Sequence, residues 1–376
     1  MELQQSIRNL TDVSLVLTKH ILQNHGKYSN VVLNCQTLGE LLTFLKAETT
    51  QELNKLSSYL IDVVLADGSS SGGPVLSLAN GVWIDKSLSF KSPFKKVVVV
   101  DSVYKAASDA VDFKNKPEEV VVLLNSWVEK ETHGLIKDVF PDRLIDNLTW
   151  LVLANAVYYK GEWLSPFEVS DTKDSDFHLL DGSSSQVPFI TSPLKDQYIS
   201  VFDTFKVLRL QYKQGDDKQR LFSMIIFLPK AKDGLPTLVE KLGSQSSFLD
   251  RYITSHKELV GIVQVPKFKI SFGFEASEAL KGLGLISPFS PGDFTEMVNE
   301  SPDGQMLYVK NTFHQSLIEV NEEGTEAAAA FGVMMGGASP EMFMDFVADH
   351  PFLFLIREDV TGVVLFTGQV LNPLAT

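Results

Sequence analysis

Val320-Asn321-Glu322-Glu323-Gly324-Thr325-Glu326-Ala327-Ala328-Ala329-Ala330 is the stretch on which the reading of this chain turns. A loop-like segment separates it from Phe346-Val347-Ala348-Asp349-His350-Pro351-Phe352-Leu353-Phe354-Leu355-Ile356. One glycine, one threonine and four alanines carry little side-chain bulk. Such a strip can lie in a loop, or slide between two existing strands without moving the core behind them. Period-two alternation sharpens this: with Thr325, Ala327 and Ala329 turned inward, Glu326 faces solvent. An alanine run after glutamates is also ordinary helix text, since alanine has the highest helix propensity. Composition therefore leaves loop, helix and inserted strand open.

The 376 residues allow two domains by length, but no linker divides them, so a single domain over residues 1–376 is expected. Hydrophobic content of 44% and aromatic content of 10% suffice for a large core. The net charge of −14, from 33 basic and 47 acidic residues, argues against a nucleic-acid or heparin-type partner held by bulk electrostatics. The basic clusters near Lys91–Lys96 and Lys213–Arg220 are short and interrupted, and read as solvated faces. Cys35 is the only cysteine, which rules out an internal disulfide. The start, Met1-Glu2-Leu3-Gln4-Gln5-Ser6, has neither the basic nor the apolar region of a signal peptide, so a cytoplasmic location is expected. The longest apolar stretch, Trp150–Tyr159, is broken by Asn155 and too short to span a bilayer. The sequons at Asn9 and Asn147 then read as chance.

Along the chain, Leu10–Leu22, Leu38–Leu45, Gln51–Leu65, Lys116–Lys130 and Leu235–Lys241 read as helices. Ser29–Leu33, Val75–Ile84, Phe177–Leu180, Val187–Ile190, Phe205–Gln211, Ser223–Leu228, Gly261–Ile270, Phe313–Val320, Pro351–Ile356 and Gly362–Val370 read as strands. Leu148–Tyr159 is continuous enough for a strand buried on both faces. Asp67-Gly68-Ser69-Ser70-Ser71 and Asp181-Gly182-Ser183-Ser184-Ser185 share wording but not flanks, and read as two similar turns. Helices crowd the first half and strands the second, which makes the class α+β.

Enzyme signatures are missing from the text. There is no Gly-x-Ser-x-Gly elbow. His20, His25, His133, His178, His256, His314 and His350 form no metal-spaced pair. Gly332, Gly336 and Gly337 lie in an apolar loop without a following lysine. No enzymatic activity, metal or cofactor is expected.

The hinge stretch and Phe346–Ile356, at this spacing, resemble the reactive-loop hinge and C-terminal signature of the serpins, with wording closest to plant serpins. Asn155-Ala156-Val157-Tyr158-Tyr159-Lys160-Gly161-Glu162-Trp163 is similar to the family's central-strand text. Val265-Pro266-Lys267-Phe268-Lys269-Ile270 and Gly368-Gln369-Val370-Leu371-Asn372-Pro373 are similar to two further strands, so the resemblance covers nearly the whole chain. It implies three β-sheets, eight or nine helices and an exposed reactive loop at about residues 322–345. It also implies protease inhibition by a suicide-substrate route, in which the metastable fold inserts the cleaved loop into its main sheet. The hinge would comprise Glu322, Glu323, Gly324, Thr325, Glu326, Ala327, Ala328, Ala329 and Ala330. Gly324 would permit the backbone reversal at the root, Glu322 and Trp163 would meet at the top of the opening sheet, and Asn155 and His314 would sit at its centre. The implied partner is a serine or cysteine protease in covalent complex with a monomer of this chain, without nucleic acid or membrane; family members also act in the extracellular space.

Two departures accompany the resemblance. Only Asn34, Cys35, Gln36 and Thr37 bridge Ser29–Leu33 to Leu38–Leu45, where relatives carry an apolar helix, so one N-terminal helix is read as deleted. Its loss should leave a cavity behind the main sheet and polar groups without partners, at about 2–5 kcal/mol per large side chain removed. The loop is also short. Counting from Glu322 places the scissile bond at Ala338–Ser339, and counting back from Phe346 places it at Met335–Gly336. With no Arg or Lys between Gly324 and Met344, chymotrypsin-, elastase- or papain-like targets are expected, offered Phe331, Met334, Met335 or Ala338. The alternative reading is a non-inhibitory or degenerate serpin that serves as a binding or storage protein.

Overall fold

The computed structural model describes residues 2–24, 31–34, 49–96, 105–134, 136–141, 144–193, 195–245, 247–290, 297–299, 307–309, 312–324 and 343–375. Seven α-helices are present among the described residues: α1 (Glu2–Asn24), α2 (Thr50–Tyr59), α3 (Ser92–Lys95), α4 (Pro117–Glu131), α5 (Leu235–Ser244), α6 (Phe248–Tyr252) and α7 (Ser277–Gly282). The expected helix Leu38–Leu45, Cys35 and the deletion boundary lie outside the described residues.

Three sheets form, as the resemblance implies. The largest has ten strands. Its path begins with β1 (Val31–Asn34), β15 (Val364–Val370), β14 (Phe352–Glu358), β9 (Phe222–Pro229) and β8 (Phe205–Gln211). It continues through β7 (Lys195–Val201), β10 (Glu258–Pro266), β6 (Ser184–Ser192) and β5 (Lys173–His178), with β13 (Met344–Val347) paired to β10. Every residue of β9 and β15 is buried, the pattern of central strands covered on both faces. A second sheet orders β3 (Ala106–Val111), β2 (Val75–Asp85) and β4 (Leu151–Lys160); a third pairs β11 (Phe268–Glu275) with β12 (Phe313–Val320).

The expected strand Gly261–Ile270 is two strands in two sheets. Pro266 has no N–H to continue a ladder, and Lys267 N–H leaves β10 to donate to Pro188 O (2.8 Å). The chain then enters β11, where Phe268 to Glu275 pair with Val320 to Phe313. The strand expected from Leu148 starts only at Leu151, and Leu148 itself is 69% exposed. Phe177–Leu180 shifts back to Lys173–His178, and α1 starts well before Leu10. The two serine-rich turns do share a device: Asp67 Oδ1 and Asp181 Oδ1 each accept the N–H of the serine two residues on.

The three-stranded sheet has two differently furnished faces. Ala79, Trp83, Val152, Ala154 and Ala156 pack against α4, which buries Val120, Val121, Leu124 and Val128, about 2 kcal/mol for each such side chain. The other face carries Leu76, Val157 and Tyr159 in one core cluster and Val82, Ile84, Leu151 and Leu153 in another. Asn80 and Asn155, paired in register across β2 and β4, stand between these clusters; Asn155 Nδ2 donates to Asn80 Oδ1 at 2.7 Å.

Candidate functional site: the junction at the root of the loop

β4 and β12 lie side by side, yet among the described residues no ladder pairs them. Both run towards one junction just beyond their ends, where Glu162 and Gly324 form an isolated bridge. Trp163 N–H donates to Glu323 O (2.8 Å) and Phe167 N–H to Glu322 O (2.8 Å). The Trp163 indole Nε1–H donates to Asn321 O (3.0 Å). Asn321 also closes the turn from within, its Oδ1 accepting Glu323 N–H (3.0 Å) and Gly324 N–H (3.2 Å).

Gly324 has φ +140°, and a Cβ there would stand 2.2 Å from Gly161 O and 2.7 Å from Glu162 Cα. Only glycine fits this backbone at this approach. On the other side of the junction, Trp163 is 2% exposed and stacks on Tyr212 with ring centroids 4.6 Å apart. Gly161 leaves room for these rings, since a Cβ would meet the Tyr212 ring at 2.8 Å. The indole is thereby held with its N–H aimed at Asn321.

Glu322 is 6% exposed. Its carboxylate accepts from Lys267 Nζ (3.0 and 2.8 Å) and Thr172 Oγ1 (2.8 Å). Burial works against the charge, but hydrogen bonds from Lys267, its own backbone and Thr172 outweigh it, and the carboxyl lies below the usual glutamate range. The Glu322 side chain thus ties the junction to the β10–β11 corner and to the segment entering β5. Contact with Trp163 is made instead by the backbone of Asn321 and Glu323. Asn321, Lys267, Thr172 and Tyr212 carry no functional signal of their own in the sequence, although Asn321 and Lys267 lie inside the hinge and β10–β11 motifs.

The remaining sequence-predicted residues are placed only in part. Asn155 sits mid-strand on β4, bonded to Asn80. His314 pairs by backbone with Phe274 on β11, and its side chain lies outside the described residues. So do Thr325, Glu326, Ala327, Ala328, Ala329 and Ala330, and both candidate bonds, Ala338–Ser339 and Met335–Gly336.

The far root of the loop is held on a different sheet. β13 pairs parallel with β10, and Asp345 Oδ1 accepts Ile262 N–H (3.0 Å) where the register shifts. Phe346 is fully buried, and Ala348 N–H donates to Gln264 O (2.9 Å). Next to it, His350 Nδ1 and Asp349 Oδ1 stand 2.7 Å apart, and His350 Nε2 lies 2.7 Å from Pro229 O. Burial opposes the Asp349 charge, but His350, His178 and Lys232 hold its carboxyl below the ordinary value.

Both roots therefore carry a carboxyl whose pKa falls on folding. Such groups stabilise the fold above their unfolded pKa, near 4 to 4.5, and that contribution is lost as pH falls through the folded value. Urea midpoints should stay level down to the ordinary carboxylate range and drop below it. Glu322→Gln should flatten that drop, and an unchanged profile would show that Glu322 does not contribute.

Among the described residues, no group of three or more His, Cys, Asp or Glu is placed to hold a metal ion. No described helix is long and apolar enough to cross a membrane.

The family model described as "Serpin (serine protease inhibitor)" matches residues 31–373. The chain is 48% identical to Serpin-ZX of Arabidopsis thaliana over 100% of both chains, in an alignment of 394 positions. That alignment is longer than the 376 residues here, so the relative carries segments this chain lacks. It is 53% identical to Serpin-ZXA of Oryza sativa subsp. japonica over 87% of this chain and 81% of that one. Among solved structures, Arabidopsis AtSerpin1 in a "native stressed conformation" matches with TM-score 0.90 and 47% identity, covering 100% of this chain and 99% of that one. Uncleaved ovalbumin shares the fold, with TM-score 0.77, 20% identity and 97% and 99% coverage. The chain belongs to the serpin family. The matched model describes that family as one of serine protease inhibitors.

Proposed function

We propose that the chain inhibits a chymotrypsin-, elastase- or papain-like protease by a suicide-substrate route that uses the junction as its release point. The observation that carries this reading is the seam between β4 and β12: two neighbouring strand edges, without a ladder among the described residues, joined by a few bonds around Gly324. A strand of small residues added to that seam would satisfy two rows of backbone N–H and C=O groups at once. Gly324 begins the stretch of the right composition, and Glu322 with its partners holds the closed arrangement until the loop is cut.

In the first step, the protease Ser or Cys attacks the carbonyl of Ala338 or Met335. The peptide bond breaks, an ester or thioester forms, and the amine of Ser339 or Gly336 leaves with a proton. The freed Gly324–Ala330 limb then enters the seam and carries the acylated protease with it. The similarity to a plant relative solved in a conformation named native and stressed supports a fold that stores free energy for this step.

A denaturing gel tests the covalent step. Incubation with chymotrypsin, elastase or papain should give a band stable to SDS at the mass of the protease plus this chain up to the cut, with the C-terminal peptide released. Cleavage of the loop without such a band, across a broad protease panel, would favour the binding or storage alternative. Melting before and after cleavage tests insertion separately. The cut chain should melt well above the intact one, and an unchanged midpoint would remove the mechanism.

A further inference from the structure

Beneath the junction lies a buried hydroxyl that takes no part in the clamp around Glu322. Tyr159, near the end of β4, is 2% exposed. Its ring meets Tyr212 edge-on with centroids 5.1 Å apart, and packs near Phe222 and Phe366 at 5.8 and 6.5 Å. The hydroxyl is shut off from solvent, and among the described residues no group lies within hydrogen-bonding distance of it. A buried phenol usually finds a partner, and one that does not costs stability. Burial pushes this phenol well above its ordinary range, and Tyr212 and Asp359 add to the effect. It is a neutral donor without an acceptor.

The closed junction holds the group in this position. A Cβ on Gly161 would stand 2.6 Å from Tyr159 Oη, so the backbone two residues on lies directly against the hydroxyl. The same residue also faces the loop root: its O is the atom that a Cβ on Gly324 would meet at 2.2 Å. Gly161 is therefore wedged between the Tyr159 hydroxyl and Gly324. The next two residues fix the wedge, through the Glu162–Gly324 bridge and the bond from Trp163 N–H to Glu323 O. Tyr212, stacked on Trp163, closes the space beside it.

We propose that the Tyr159 hydroxyl stores part of the free energy that loop insertion releases. The inference rests on the insertion mechanism and names one source of its driving force. While Gly324 sits against Gly161, the hydroxyl stays without an acceptor. Entry of the cut limb into the seam draws Gly324 away and breaks the bridge. The backbone of residues 161–163 is then free to shift, and the hydroxyl reaches an acceptor. Removing the hydroxyl stabilises the intact form and gives nothing to the inserted one.

Calorimetry of the parent and of Tyr159→Phe, each intact and nicked in the loop, tests this. Thermolysin makes the nick, since a metalloprotease forms no acyl-enzyme to be trapped, and mass spectrometry selects chains cut beyond Ala330. Tyr159→Phe should raise the intact midpoint by about 2 °C or more. Its nicked midpoint should match or fall below that of the nicked parent, so the gain on nicking shrinks. If Tyr159→Phe gains as much as the parent on nicking, the hydroxyl costs both forms alike and the proposal is overturned while insertion stands. An intact midpoint that stays level or falls has the same consequence. A parent that melts no higher after nicking overturns insertion itself, and this inference with it.

Discussion

Gly324→Val is expected to lower the thermal midpoint by roughly 5 °C or more, the largest single-residue effect at the junction. Three costs act together there. A side chain at φ +140° is strained by about 1–3 kcal/mol. Its Cβ alone would lie 2.2 Å from Gly161 O, so the backbone of one segment must move. That movement pulls apart the Glu162–Gly324 bridge and the Trp163 N–H to Glu323 O bond beside it, and each buried backbone group left unpaired costs about 1–3 kcal/mol more. Gly324→Ala meets the same first contact, so it should fall between the parent and the valine variant. Scanning calorimetry of the three proteins decides the matter. A valine variant that melts with the parent would mean that the junction is not held as described.

Glu322→Lys comes second, with an expected loss of about 2–3 kcal/mol. The change removes the acceptor of both Lys267 and Thr172, and sets a second ammonium in a position only 6% exposed. Breaking a fully buried pair costs about 3–5 kcal/mol. Lys267 is 36% exposed and can turn towards water, which reduces the figure. The pair itself is tested by reversing it. Glu322→Lys combined with Lys267→Glu should recover at least half of the loss, measured as a double-mutant cycle from denaturant unfolding. A double variant no more stable than Glu322→Lys alone would show that the effect is local to Glu322.

These two residues stood in the stretch quoted first, and they show how far linear reading reaches. Gly324 was legible because glycine next to small residues has a local meaning. Glu322 was legible as a polar anchor, yet its partners were not. Lys267 is 55 positions away and Thr172 is 150 away; Lys267 stands in a legible motif that does not point to Glu322, and nothing around Thr172 distinguishes it from other polar residues. Tyr212 is equally silent in the sequence, although it is the platform on which Trp163 lies.

The strands tell a similar story. The runs that became β9 and β14 are mostly apolar because those strands are buried along nearly their whole length, so their text alone identified them; β15 is equally buried although Thr367, Gly368 and Gln369 interrupt its apolar text. Ala106–Val111 and Lys195–Val201 carry no strand signal in the sequence. Most of their residues are exposed or half-buried, and a strand that contributes little to the core carries little hydrophobic signal. At Pro266 the sequence did hold the clue to a sheet change, a missing donor, but the direction of the bend depends on Pro188 accepting from Lys267.

Local chemistry was enough to establish the class of this protein: the hinge wording, the terminal strands, the α+β order and the absence of catalytic motifs are all properties of neighbouring residues. What tertiary structure alone decided is which distant groups meet. The unladdered seam between β4 and β12, the Glu322–Lys267–Thr172 clamp and the Trp163 platform each arise where separate segments pack together. Hydrophobic pattern is written along the chain, whereas the pairing of a polar group is settled only by what the fold brings within hydrogen-bonding distance.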